Sequence, residues 1–162
     1  MKTKLLLFLL TLLFSSSVTF AKESKVQEAV DLYEKALELL NAEEFASAIP
    51  VLSDVIRMSP ANSDLKHLAL SHRGTCYYEL NQFFLAINDF NGALFVNVTE
   101  THYHNPATTD FLTNYINGIN FYLSGSAKRE TGSLRAACID WRRAERLGES
   151  RAMKLIKKHC AQ

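Results

Sequence analysis

The stretch "VQEAVDLYEKALELL", from Val26 to Leu40, sets its apolar residues three and four positions apart, which gathers them on one face of a helix. No segment alternates apolar with polar over six residues, as a half-buried strand would. Proline and glycine are scarce, and Pro60, Pro106, Gly132 and Gly148 fall where helices are expected to end. Ser24 with Gln27 forms a candidate capping box ahead of the first helix. The pattern predicts an all-α chain of six paired helices and a seventh from about Glu149 to His159.

A longer period lies over the helical one. In "ALSHRGTCYYELNQFFLAINDFNGAL", Gly74 is followed by Ala86, then by Phe90 and Ala93 at helical spacing. The same order of small, small, bulky and small returns as Ala36, Ala48, Leu52 and Val55, and again as Gly125, Ala137, Trp141 and Ala144. Phe45, Phe83 and Leu134 each stand three residues before the middle alanine. Three copies on this template resemble the tetratricopeptide repeat (TPR), a helix–turn–helix unit of roughly 34 residues that stacks into a solenoid. The resemblance covers residues 26–151, with repeats at about 29–62, 67–100 and 118–151 and a capping helix at about 149–159. Val98 and Glu149 depart from it where the family usually has proline, which Pro60 keeps, and Lys128 stands where an aromatic is usual. The copies are offset by 38 and then 51 residues. The second insertion, around "THYHNPATTDFLTNYIN", predicts a loop at Thr101 to Thr109 and then a lengthened helix. Met153 and Ile156 are expected to lie over the last repeat, with the lysines and arginines of that helix turned outward.

In this family the first helix of each pair lines a concave groove that takes an extended peptide or a partner helix. The resemblance carries that lining onto Tyr33, Leu37, Ser71, His72, Tyr78, Tyr122 and Arg129. The best-known groove of the family clamps a C-terminal carboxylate with basic and amide side chains. Here Tyr33, Leu37, His72, Ile119 and Leu123 stand at those places, so that clamp is missing.

Compartment and charge narrow the partner. Residues 1–21 place Lys2 and Lys4 before an apolar run from Leu5 to Phe14, then small residues up to Ala21, the layout of a cleaved secretory signal peptide. The expected location is the periplasm or cell envelope. Beyond Ala21 the chain has 16 basic and 17 acidic residues, but residues 128–162 hold ten basic against four acidic. Arg142, Arg143, Arg146, Arg151, Lys154, Lys157 and Lys158 form this basic end. It reads as a solvated helix face or as a contact for anionic lipid headgroups or an acidic partner. Nucleic acid is not expected, because export and the overall charge argue against it and no aromatics interleave with the basic residues.

In an exported chain the three cysteines are first read as disulfide candidates. On the repeat template Cys138 lies early on the sixth helix and Cys160 at the far end of an antiparallel seventh, so the two can meet. The run from Ala137 to Cys160 is also similar to the end of many exported repeat proteins of Bacteroidota-type bacteria. The competing reading treats both as buried small hydrophobes. Cys76, beside Tyr77, is expected to be a buried free thiol. His102 and His104 in "THYHNP" are two ligands without a third, and His67 and His72, five apart, do not share a helix face. Asn97 opens an "NVT" sequon. No HExxH, GxSxG, CxxC or glycine-rich phosphate loop occurs. The sequence therefore predicts no catalytic residue, metal or cofactor, and a non-catalytic scaffold whose partner is another protein or a peptide.

Overall fold

The computed structural model describes residues 24–96 and 106–160, and its elements are all helices. They are α1 (24–41), α2 (Phe45–Met58), α3 (Asp64–Glu79), α4 (Phe83–Phe95), α5 (Pro106–Glu130), α6 (Leu134–Arg146) and α7 (Arg151–His159). The expected signal segment, Asn97, Val98, His102 and His104 lie outside the described residues. Successive helices pack as neighbours, most extensively α3 with α4 and α5 with α6. The chain is an all-α protein of packed helical pairs.

The turn inside each pair is built the same way three times. Glu43, Asn81 and Gly132 hold left-handed φ values of 58°, 58° and 82°. In each, the next residue's N–H bonds a carbonyl five positions back: Glu44 to Leu39 at 2.8 Å, Gln82 to Tyr77 at 2.7 Å and Ser133 to Lys128 at 2.7 Å. This closure satisfies a carbonyl that the helix end would otherwise leave open. Glycine suits the position; Glu43 does not. A left-handed L-residue costs roughly 1–2 kcal/mol, and glycine's extra chain entropy offsets roughly half of that. Glu43→Gly is therefore expected to raise stability by about 0.5–1 kcal/mol, seen as a higher urea midpoint with unchanged slope.

The small–bulky rule has a direct steric cause. A Cβ on Gly74 would sit 2.8 Å from Phe90 Cε1, and one on Gly125 would sit 2.7 Å from Trp141 Cδ1 and Nε1 and 3.0 Å from the Ala137 carbonyl oxygen. Where the bulky position shrinks to Leu52, the matching small residue is Ala36, and both are buried in one cluster. Ring size in the second helix thus sets whether the first helix can carry a methyl group.

Each of the later pairs also buries a carboxylate one residue before its ring. Asp89 takes two bonds from the Arg73 guanidinium, at 2.7 and 2.8 Å, and Arg73 also donates to Ser53 Oγ on α2 at 2.8 Å. Asp140 is bonded by Ser124 Oγ at 2.9 Å and by Lys128 Nζ. Ser124 occupies the place of Arg73 in its copy and Lys128 that of Tyr77, so the cation has moved by one helical turn. Lys128, in place of an aromatic, thus pairs the buried Asp140 from the facing helix, while Arg143, on Asp140's own helix, lies 3.5 Å from its other oxygen.

Three expectations shift. Pro106 opens α5 instead of ending a helix, since a first-turn proline lacks only an N–H that would have no helical partner; the expected loop thus gives up residues 106–109 to the helix. The lengthened helix is present, 25 residues in α5 against 16 in α3. Ser24 is already helical and Gln27 Nε2 donates forward to Asp31 at 2.8 Å, so the capping box is not formed. In α7 the inward stripe is Ala152, Leu155 and Ile156, while Met153 is 44% exposed. Ile156 lies inward as expected, while Ala152 takes the place expected of Met153, being small enough to sit fully buried against the Trp141 cluster.

Candidate functional site

Two surfaces collect the residues singled out by sequence. The first runs across the first helices of the pairs. Tyr33 of α1 stacks on His72 of α3 with centroids 5.7 Å apart and planes 5° off parallel, and its hydroxyl lies 3.0 Å from His72 Nδ1. Tyr78, further along α3, meets Phe83 edge-on at 5.7 Å. Burial pushes its phenol above the ordinary range, as does Tyr122, while Arg129 opposes the shift. Tyr122 in turn lies under the Arg151 guanidinium, 4.6 Å from the ring centroid. Tyr33, His72, Tyr78 and Tyr122 are each half-buried, with one side committed to a neighbour. Leu37 and Arg129 are also half-buried, the latter engaged with Glu130.

Ser71 belongs elsewhere. It is 5% exposed and donates to Asn120 Oδ1 at 2.6 Å, inside the contact between α3 and α5. One turn away, His67 Nε2 lies 3.0 Å from Asn117 Oδ1. His67 therefore faces α5 and His72 faces α1, as their spacing of five implies. Asn117 and Asn120 were not among the expected residues. Two poor helix formers three apart inside a long helix signal a tertiary demand, but their partners lie about 50 positions upstream.

Burial holds both imidazoles below their usual 6.5, opposed at His67 by the Asn117 bond and the Asp64 charge. A histidine depressed by folding contributes stability that is complete above its unfolded value and falls as acid protonates the unfolded chain. The unfolding midpoint is accordingly expected to drop between pH 7.5 and pH 5.5, and less so in His67→Gln, by circular dichroism melts at both pH values.

The second surface is the basic end. Cys138 and Cys160 form a disulfide with Cα atoms 5.7 Å apart. It fastens the end of α7 to the first half of α6. Trp141 is fully buried beneath, its indole N–H 3.3 Å from the Tyr122 carbonyl oxygen and 3.4 Å from Ser126 Oγ. Arg142, Arg143, Arg146, Arg151, Lys154, Lys157 and Lys158 are all exposed. Arg143 sits over Phe121 at 5.4 Å, and Arg151 is bonded through two nitrogens to Glu149. Cys76 is a buried free thiol whose pKa burial pushes up to about 11.

Among the described residues no cluster of three or more His, Cys, Asp or Glu side chains could hold a metal ion. Among the same residues no helix is long and apolar enough to cross a membrane. The fold and these surfaces define the class as an all-α, helical-repeat-like protein whose last layer is disulfide-tied. No family model, curated protein or solved structure matches the chain.

Proposed function

We propose that this chain is a non-catalytic, TPR-like binding scaffold of an oxidising, exported compartment, and that it holds another protein through the face lined by α1, α3 and α5. The observation that carries the reading is the row of half-buried polar aromatics, Tyr33–His72 and then Tyr78 and Tyr122, on successive first helices. Each ring is fixed on one side by a neighbour, so contact with a partner immobilises little that was mobile before. Tyrosine also offers an apolar ring and a polar tip, the combination enriched where interfaces concentrate their energy. The repeated turn, the glycine–ring pairing and the disulfide support the stacked, exported character of the reading.

The test is photo-crosslinking from position 37 in the native envelope, with the captured neighbour identified by mass spectrometry and its binding then measured directly. Tyr78→Ala is expected to weaken that binding by about 2 kcal/mol, a typical hot-spot loss, while leaving the circular dichroism spectrum intact. Raising salt from about 50 mM to about 500 mM should change it little, because the contact is not built on exposed charge. A binding constant that ignores Tyr78→Ala and collapses with salt would move the site to the basic end.

A further inference from the structure

The cap is shorter than the helix it covers. α7 returns along α6 and stops at His159, where Cys160 is bonded to Cys138, the fifth residue of α6. The first turn of α6 runs on past that point. A depression of about 560 Å³ opens beside the disulfide, lined by Leu134 and Ile139, by Arg135 and Arg142, and by His159. Leu134 and Ile139 are 44% and 48% exposed, an apolar lining without a cover among the described residues. Arg142 donates to the Cys160 carbonyl oxygen at 3.3 Å, which holds its guanidinium at the rim. Among the described residues, His159 Nε2 is buried without a hydrogen-bond partner.

The charge around this recess is one-sided. Between Leu134 and Cys160 there are eight lysines and arginines and three acids. Asp140 is buried with Lys128 and Glu149 is bonded to Arg151, which leaves Glu145 as the acid of this region that is exposed. Arg135, Ile139 and Arg142 stand at i, i+4 and i+7 and so share one stripe of α6, with the two arginines about 10 Å apart along the axis.

The geometry points to a docking site for an acidic amphipathic helix of a partner protein. Lying antiparallel to α6, such a helix would set one carboxylate against each arginine and an apolar side chain between them, the pattern Glu-x-x-Leu-x-x-x-Glu. A small anionic ligand fits less well, because a recess whose apolar lining is this exposed cannot enclose most of a ligand's surface. A membrane fits less well too, because a flat anionic surface cannot enter a concave recess. This surface is separate from the aromatic row and does not rest on it.

The test uses the purified, disulfide-intact protein and a fluorescein-labelled helical peptide of about 18 residues carrying that pattern twice. Fluorescence anisotropy should show tighter binding than for a scrambled peptide of equal charge. Arg135→Ala with Arg142→Ala is expected to weaken binding about tenfold, the sum of two exposed ion pairs, and Ile139→Ala to weaken it further. Lys154→Ala with Lys157→Ala should change it less than about twofold. All five positions are exposed, and circular dichroism confirms that the variants fold. Equal binding of the scrambled peptide, or an equal loss from the lysine pair, would overturn the inference. So would capture of phosphatidylglycerol vesicles through the recess residues with no binding of the peptide.

Discussion

Gly125→Ala is expected to destabilise the protein by about 3 kcal/mol, the upper part of the range for overpacking a filled core. The new methyl would lie 2.7 Å from the indole and 3.0 Å from a backbone oxygen. Neither neighbour can yield: the ring is fully buried and its N–H is engaged with the Tyr122 carbonyl and Ser126. The first pair shows the solution, since Ala36 and Leu52 hold the matching positions there. Trp141→Leu alone leaves a cavity and should cost about 2–4 kcal/mol. In that background Gly125→Ala should cost much less, about 1 kcal/mol for the remaining approach to the Ala137 carbonyl oxygen, so the two changes are non-additive. Urea unfolding of the four proteins measures the coupling. Equal costs in both backgrounds would mean that the close approach of α5 to α6 is not what requires the glycine.

Removing the Cys138–Cys160 link, as Cys138→Ala with Cys160→Ala, is expected to lower stability by about 3 kcal/mol through the 22-residue loop that it closes. A nine-residue helix such as α7 does not persist without tertiary support. Its amides should therefore exchange early in the variant, together with those of α6 around Trp141, while α3 and α4 stay protected. Alkylation gives an independent check. Native protein without reductant should show no reactive thiol, because Cys76 is buried and its pKa is pushed up to about 11. Unfolding without reductant should expose one thiol, and unfolding with reductant three. Two further thiols labelled before reduction would remove the disulfide from the account.

Pattern within one copy was readable because its causes are local. The small–bulky spacing reports how closely two consecutive helices approach, and the turns at Gly132 and Gly148 report a left-handed backbone. The pairing of Cys138 with Cys160 followed from placing both on adjacent antiparallel helices. Readings failed where the cause is remote. Ser71 looked like groove lining until Asn120, 49 positions later, took its hydroxyl. Met153 fitted the helical period as well as Ala152 did, and only the shape of the Trp141 cluster chooses between them. The second surface was legible as charge alone, since the recess beside Arg135 depends on where α7 stops.

The sameness of the three intra-pair turns carries a consequence for how such a chain can change length. Residues 42–44, 80–82 and 131–133 tolerate neither insertion nor deletion without breaking a closure shared by all three, whereas the copies differ in spacing through the segments that join one pair to the next and through the length of α5. Ala61 and Asn62, exposed between α2 and α3, belong to that second kind of segment. An epitope or fluorophore handle placed there would lengthen a seam that nature has already stretched elsewhere in the same molecule.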